Sequence, residues 1–294
     1  MSWFVLAIIG SCFASLATIL QKRTLEHIHT VDFAVALSFI AAVLTTPALF
    51  MYSWETVTPA MMGVVVIVSV IASVAYFWMV RAVRHLPISV SSPLTLLSPI
   101  VATGLAYLLL GESLSLIQLS GIGALIGGLY VLETRHLGDW REFYTNLTGN
   151  FFARLVLAAA VLYGISSLFD RVALGWWHVP PPLYIAIVQI GIAICMLIIA
   201  WKAESRRPRD VVGVFLTEWR LITLVAVLTI AHRLLESQAM ALASVGLVSA
   251  VKRTSSLFST VIGGELFHED HLVRKGIACA IMICGLYLLG MTSG

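Results

Sequence analysis

The chain has 294 residues, of which 60% are hydrophobic and 11% charged, with a mean hydropathy of +0.97 and a formal net charge of +3. An average soluble domain is about 45–50% apolar and about 25% charged, so an ordinary soluble domain is excluded and a polytopic membrane protein is expected. The small net charge speaks against nucleic acid as a partner. Membrane lipids and a small-molecule substrate are the partners expected instead.

A helical span needs about 20 mostly apolar residues to cross a hydrocarbon core of about 30 Å. Ten such stretches follow one another, at about 3–20, 32–52, 59–83, 88–110, 115–132, 152–172, 183–201, 220–242, 247–267 and 272–290. The first begins at Trp3 with no basic segment before it and reads as a span, not a removed signal peptide. Breaks are marked by Glu55 to Pro59, by Gly111-Glu112-Ser113 and by Pro180-Pro181-Pro182. Proline lacks the N–H that continues a helix. The runs are too long and too little alternating for barrel strands, so an all-α integral membrane fold is expected.

Individual spans carry candidates. The third holds Tyr76, Trp78 and Met79, which suit substrate contact or aromatic packing between helices. In the fourth, Ser91, Ser92, Thr95 and Ser98 offer hydroxyls to a cavity or to backbone carbonyls, and Pro93 and Pro99 predict a kink. The fifth contains GIGALIGG, in which Gly123 and Gly127 have the spacing of close helix packing. That packing would join the fifth and tenth spans, or two chains, so monomer and homodimer are both open. The sixth ends in Asp170-Arg171, an interfacial ion pair or a gate. The eighth holds His232, Arg233 and Glu236, and the ninth holds Lys252 and Arg253.

An ionisable group at a span centre costs about 2.5–3.5 kcal/mol on insertion scales, so these five must face one another or a wet cavity. Arg233 and Glu236 stand three apart and can pair within one helix. Lys252 and Arg253 are then surplus cations, suited to a phosphate or carboxylate on a substrate. The plainer reading makes them structural partners of Glu236. The cluster His268-Glu269-Asp270-His271 reads as a solvated turn and not a metal site, and Cys12, Cys195, Cys279 and Cys284 read as packing residues without a CxxC. No GxSxG, HExxH or Walker loop is present. No enzyme activity, metal or cofactor is therefore expected.

The polar stretch 134–151 separates residues 1–133 from 152–294, and the two halves resemble each other. Glu112 and Glu269 stand 157 positions apart, and so do Ser92 and Ser249, Ser98 and Ser255, and Gly128-Leu129-Tyr130 and Gly285-Leu286-Tyr287. Two five-helix units are expected. An odd number of spans per unit makes them an inverted repeat, with a site between the halves. Lys22, Arg23, Arg84, Arg135, Arg141, Lys202, Arg206, Arg207, Arg209, Arg274 and Lys275 fall on one side, the cytoplasmic side by the positive-inside rule, with both termini outside.

SSPLTLLSPIVATGLAYLLLGESLSLIQLSGIGALIGGLYVL and LVSAVKRTSSLFSTVIGGELFHEDHLVRKGIACAIMICGLYLL resemble EamA-type carriers of the drug/metabolite transporter superfamily, over nearly the whole chain. The resemblance implies alternating access around a central cavity, in a plasma (bacterial inner) membrane, but names no substrate. VKRTSSLFS is similar to the Lys-Arg motif of triose-phosphate and nucleotide-sugar translocators, which implies phosphate or carboxylate binding by Lys252 and Arg253. The further lysine those translocators carry in the fourth helix has no counterpart here, where Ser91, Thr95 and Ser98 stand. The rival readings are a carrier of a neutral or cationic compound and a non-transporting scaffold.

Overall fold

A computed structural model describes residues 3–55, 57–110, 115–133, 145, 148–202, 208–242 and 251–290, and no strand occurs among them. In the first half the helices are α1 (Trp3–His27), α2 (Thr30–Thr45), α3 (Ala48–Met51), α4 (Pro59–His85), α5 (Ile88–Leu94), α6 (Ser98–Leu110) and α7 (Leu116–Glu133). In the second half they are α8 (Phe151–Arg171), α9 (Pro181–Lys202), α10 (Pro208–Leu242), α11 (Thr254–Phe258), α12 (Gly264–Leu266) and α13 (Leu272–Gly290). Six described segments are long and apolar enough to cross a membrane: Trp3–His27, Thr30–Met51, Pro59–His85, Ile88–Leu105, Phe151–Leu174 and Pro181–Lys202.

Local chemistry sets the helix starts. Thr58 accepts a hydrogen bond from Met61 N with Pro59 at the first helical position, and Asn150 accepts from Phe152 N and Ala153 N. Pro181 opens α9 in the same manner. The fourth span bends where its prolines stand: α5 gives way to a 3-10 turn over Thr95–Leu97 before α6 resumes.

Other spans depart from a simple reading. The second is interrupted at Pro47 and continues as α3. The eighth begins further upstream, at Pro208, and kinks at Glu218 (φ −116°, ψ 17°). The ninth is broken at Arg253 and again by a π-turn over Ser259–Gly263. Expectations placed on Gly111-Glu112-Ser113, Arg135, Arg141, Arg206 and Arg207 lie outside the described residues.

Helix pairing follows the internal repeat. α1 packs on α10 as α4 packs on α8, α2 packs on α10 as α4 packs on α9, and α2 meets α9. The contact between α7 and α13 is reciprocal at atomic detail. A Cβ on Gly128 would meet Ala278 O at 2.8 Å and Met282 N at 3.1 Å. A Cβ on Gly285 would meet Gly121 O at 2.7 Å and Leu125 N at 2.9 Å. Each of these partners is the other's counterpart at the 157-residue offset. Small residues let the two backbones approach this closely.

Gly123 and Gly127 are a correction. Both are exposed, and a Cβ on either would meet nothing within 4 Å. The joint within the chain belongs to Gly121, Gly128 and Gly285, because only that face of α7 is turned toward α13.

The core comprises apolar seams between helices. Val65, Val68, Leu183, Val188 and Met196 form one, Leu25, Phe33, Val83, Ile222 and Val225 a second, and Leu94, Leu125, Leu129 and Met282 a third. Large apolar residues also face outward, among them Phe39, Val66, Ile194 and Ile277. Such a surface suits lipid and would be unusual in water.

Candidate functional site

The intramembrane charges converge. Lys252 Nζ and Glu236 Oε1 form an ion pair at 2.6 Å, with the side chains 30% and 15% exposed. Arg233 Nη1 donates to Gln189 Oε1 of α9 at 3.2 Å, and Arg253 Nη2 donates to Ser98 Oγ of α6 at 3.4 Å. On the far side of Arg233, Tyr184 OH donates to Asp170 Oδ1 at 2.6 Å. Asp170 lies in the electrostatic field of Arg233, Lys252 and Glu236, and Tyr76 and Tyr163 in that of Arg233. Helices α4, α6, α8, α9 and α10 and the segment at 252–253 thus surround one polar cluster.

The pairing expected within α10 is corrected. Arg233 and Glu236 do share a face, but Glu236 reaches across to Lys252, and Arg233 turns to Gln189. The break in the ninth span lies beside Lys252. Ser11 Oγ of α1, which is fully buried, has one proton to donate and three carbonyls within reach: Ala7 O of its own helix at 2.8 Å, Val251 O at 3.0 Å and Lys252 O at 3.2 Å. The carbonyls of Val251 and Lys252 precede the break, and Val251 O also accepts from Thr254 Oγ1 at 2.7 Å. The contact with α1 thus lies at the backbone of Lys252, whose ammonium pairs with Glu236. An ion pair between helices is favoured here because both side chains are mostly withdrawn from the surface.

The other candidates divide. Ser98 joins the cluster through Arg253. His232 Nδ1 and Tyr76 OH are buried beside the cluster with no hydrogen-bond partner among the described residues. Buried polar atoms are rarely left so, and both are poised for a ligand or water. Met79 packs in the apolar seams between helices, and Thr95 Oγ1 donates to Ser92 O at 2.7 Å. Asp170 bonds Tyr184, and the side chain of Arg171 lies outside the described residues, as does that part of the proposed gate pair.

Gln189, Tyr184, Tyr163 and Ser11 were not singled out from sequence. A polar Gln189 and an aspartate partner for Tyr184 inside apolar runs are the only signals they offered. Two clefts, of about 710 and 380 Å³, lie elsewhere, along the turn at 267–275, and no cluster residue lines either. Their walls are one turn and the flanking helix ends. Converging charge identifies a site in a membrane interior better than cleft volume does. No group of three or more His, Cys, Asp or Glu side chains able to hold a metal occurs among the described residues.

The cluster carries three cations, Lys252, Arg253 and Arg233, against two carboxylates, Glu236 and Asp170. The one carboxylate in direct ion-pair contact is bound to Lys252. Among the described residues, the two arginines donate to neutral oxygens of Gln189 and Ser98.

Comparison with known proteins gives a family. The profile of the EamA-like transporter family matches residues 1–134 and again 150–291. A solved structure described as "Crystal structure of protein" is 18% identical, covers 96% of this chain and 95% of its own, and superposes with a TM-score of 0.62. At that identity the likeness speaks for the fold alone. No curated protein matches the chain.

Proposed function

The chain belongs to the EamA-like transporter family, and on that premise we propose that it is a secondary carrier for a small polar metabolite bearing an anionic group. Ten spans in two inverted five-helix halves would alternate access to the central cluster from the two sides of a plasma membrane. The reciprocal contacts of Gly128 and Gly285 support a two-fold relation between the halves.

One observation carries the reading. Lys252 and Glu236 are paired at 2.6 Å while, among the described residues, Arg253 and Arg233 donate to a serine hydroxyl and a glutamine carbonyl. Glu236 then acts as a tethered stand-in for the substrate's anionic group. A guest phosphate or carboxylate would be bound by Arg253 and Arg233 and would compete with Glu236 for Lys252. Tyr76 OH and His232 Nδ1 are the neutral groups free to position the rest of the molecule.

The same ion pair favours a second reading, in which Lys252 and Glu236 only satisfy each other and the cargo is neutral or cationic, held at Asp170. A thermal-stability screen of the purified protein with organic phosphates, carboxylates, amino acids and amines separates the two. An anion should raise the unfolding midpoint of the native chain, and Lys252→Met and Arg253→Gln should abolish that rise. Stabilisation by amines alone, retained in Lys252→Met, would establish the second reading.

A further inference from the structure

A second set of buried charges lies outside the central cluster, at the end of the bundle where Lys22, Arg84 and Lys275 gather. Glu269, expected in a solvated turn, is folded inward, with its side chain 9% exposed. Its Oε1 accepts from Ile88 N at 2.5 Å and its Oε2 from Ser89 N at 3.0 Å, and the Ser89 hydroxyl donates to the same carboxylate. Lys275 Nζ donates to Ser89 Oγ at 2.8 Å and stands 3.8 Å from Glu269 Oε2.

Lys22, expected beyond the end of the first span, is inside α1 and only 8% exposed. Its Nζ donates to Val83 O at 2.7 Å, Arg84 O at 3.2 Å and Leu86 O at 2.8 Å, and so closes the C-terminus of α4. Glu269 acts on it through its charge. The backbones close over the same point. A Cβ on Gly263 would meet Ile88 Cγ2 at 3.0 Å and Ile19 Cγ1 at 3.2 Å, and one on Gly264 would meet Ser89 Cβ at 3.5 Å.

Apart from the cap by Lys22 and the Lys275–Glu269 ion pair, which lies within the second half, these links join the two halves. Ile19, Lys22, Ile88 and Ser89 belong to the first, and Gly263, Gly264, Glu269 and Lys275 to the second. A carrier whose halves rock about a central site must break such cross-half contacts on one face to admit substrate there. Glu269 replaces bonds that the exposed N-terminus of α5 would otherwise make to water, so its release is a two-state event with a wet alternative.

We propose that Glu269, Lys275 and Lys22 form the gate on the basic face, latched in this structure and released when that face opens. The proposal rests on the reading of the chain as a two-state carrier. It does not depend on the charge of the cargo.

The test is thiol accessibility in a background with Cys12, Cys195, Cys279 and Cys284 replaced by alanine. The reporter is Ser92→Cys, one turn deeper than Ser89 and buried against Ser259. A membrane-impermeant maleimide is applied from the basic face of reconstituted vesicles. Removal of the latch by Glu269→Gln or Lys275→Met should raise the labelling rate about tenfold or more, as expected when a minor open state becomes populated. Glu265→Gln, on an exposed neighbour, should leave it unchanged. Should Glu269→Gln fail to fold, Lys275→Met carries the test, since it removes the ion pair and leaves the cap. Unchanged labelling in a folded variant would overturn the proposal. So would an equal acceleration at Val188→Cys, buried in α9, because that would mean general loosening and not a gate. No substrate is used, so failure here leaves the anion reading standing, and failure of the anion screen leaves the gate standing.

Discussion

Lys252 shows how much of the site turns on single atoms. Its ammonium is 2.6 Å from Glu236, and the carbonyl of the same residue lies 3.2 Å from Ser11 Oγ, on a helix some 240 positions away in the chain. If Glu236 occupies the substrate's place, Glu236→Gln should bind anions more tightly, by about tenfold for loss of a competing charged contact of about 1.4 kcal/mol. Titration of the unfolding midpoint with the anion found by screening measures this, and weaker binding would mean that Glu236 positions Lys252 instead. Ser11→Ala removes the hydroxyl that α1 places against the ninth-span break and should cost about 1 kcal/mol of stability together with a loss of anion affinity. A stability loss with affinity intact would show that Lys252 needs no aiming. Tyr184→Phe removes a hydrogen bond to Asp170 worth about 1.5–3 kcal/mol for a charged acceptor. The readout is a lower unfolding midpoint.

At the scale of elements, the fourth and ninth spans are the irregular ones, and each is irregular for a visible reason. Pro93 and Pro99 flank the 3-10 turn of the fourth. The ninth contains no proline, and at its break by Arg253 the carbonyl of Val251 is met by Thr254 Oγ1 from the same span and by Ser11 Oγ from α1. The two spans meet through Ser92 and Ser259, whose hydroxyls are 3.1 Å apart. The fifth and tenth spans are regular and close-packed, and they predict a sharp contrast. Gly128→Leu must push its side chain into Met282 and the α13 backbone, and should cost about 3 kcal/mol or more, since overpacking alone costs about 1–3. Gly123→Leu faces open space and should stay within about 0.5 kcal/mol of the native chain. Unfolding midpoints of the two variants in one detergent decide the matter, and a large loss in Gly123→Leu would reveal a second chain on that face.

For the whole molecule, the basic residues predict orientation: Lys22, Arg84 and Lys275 toward the cytoplasm, with both termini outside. A reporter fused after Gly294 should therefore be active only outside, and cytoplasmic activity would reverse the assignment. The latch would then guard the outer face. Lys22 and Lys275 themselves blur the rule, since both are buried and tied to backbone or to Ser89, not displayed to an anionic membrane surface.

The membrane class, the apolar spans, the two related halves and the suspect cations were all legible in the sequence. Each rests on local composition or on self-similarity, and hydrocarbon tolerates little else. The partners were not legible. Arg233 and Glu236 satisfy the three-residue spacing of an ion pair, yet Glu236 takes Lys252 from a different helix at 2.6 Å and Arg233 turns to Gln189. Gly123 and Gly127 satisfy the packing motif, yet Gly121, Gly128 and Gly285 make the contact, because spacing defines a face without saying which way it turns. Glu269 stood in a run of polar residues that resembled any solvated turn, and only the approach of Ile88 and Ser89 from the other half gave its carboxylate something to cap. Which residues must be buried or paired is written in the chain, since that cost is local. Which of them meet is decided by the packing of the two halves, since the distances that select partners exist only between helices.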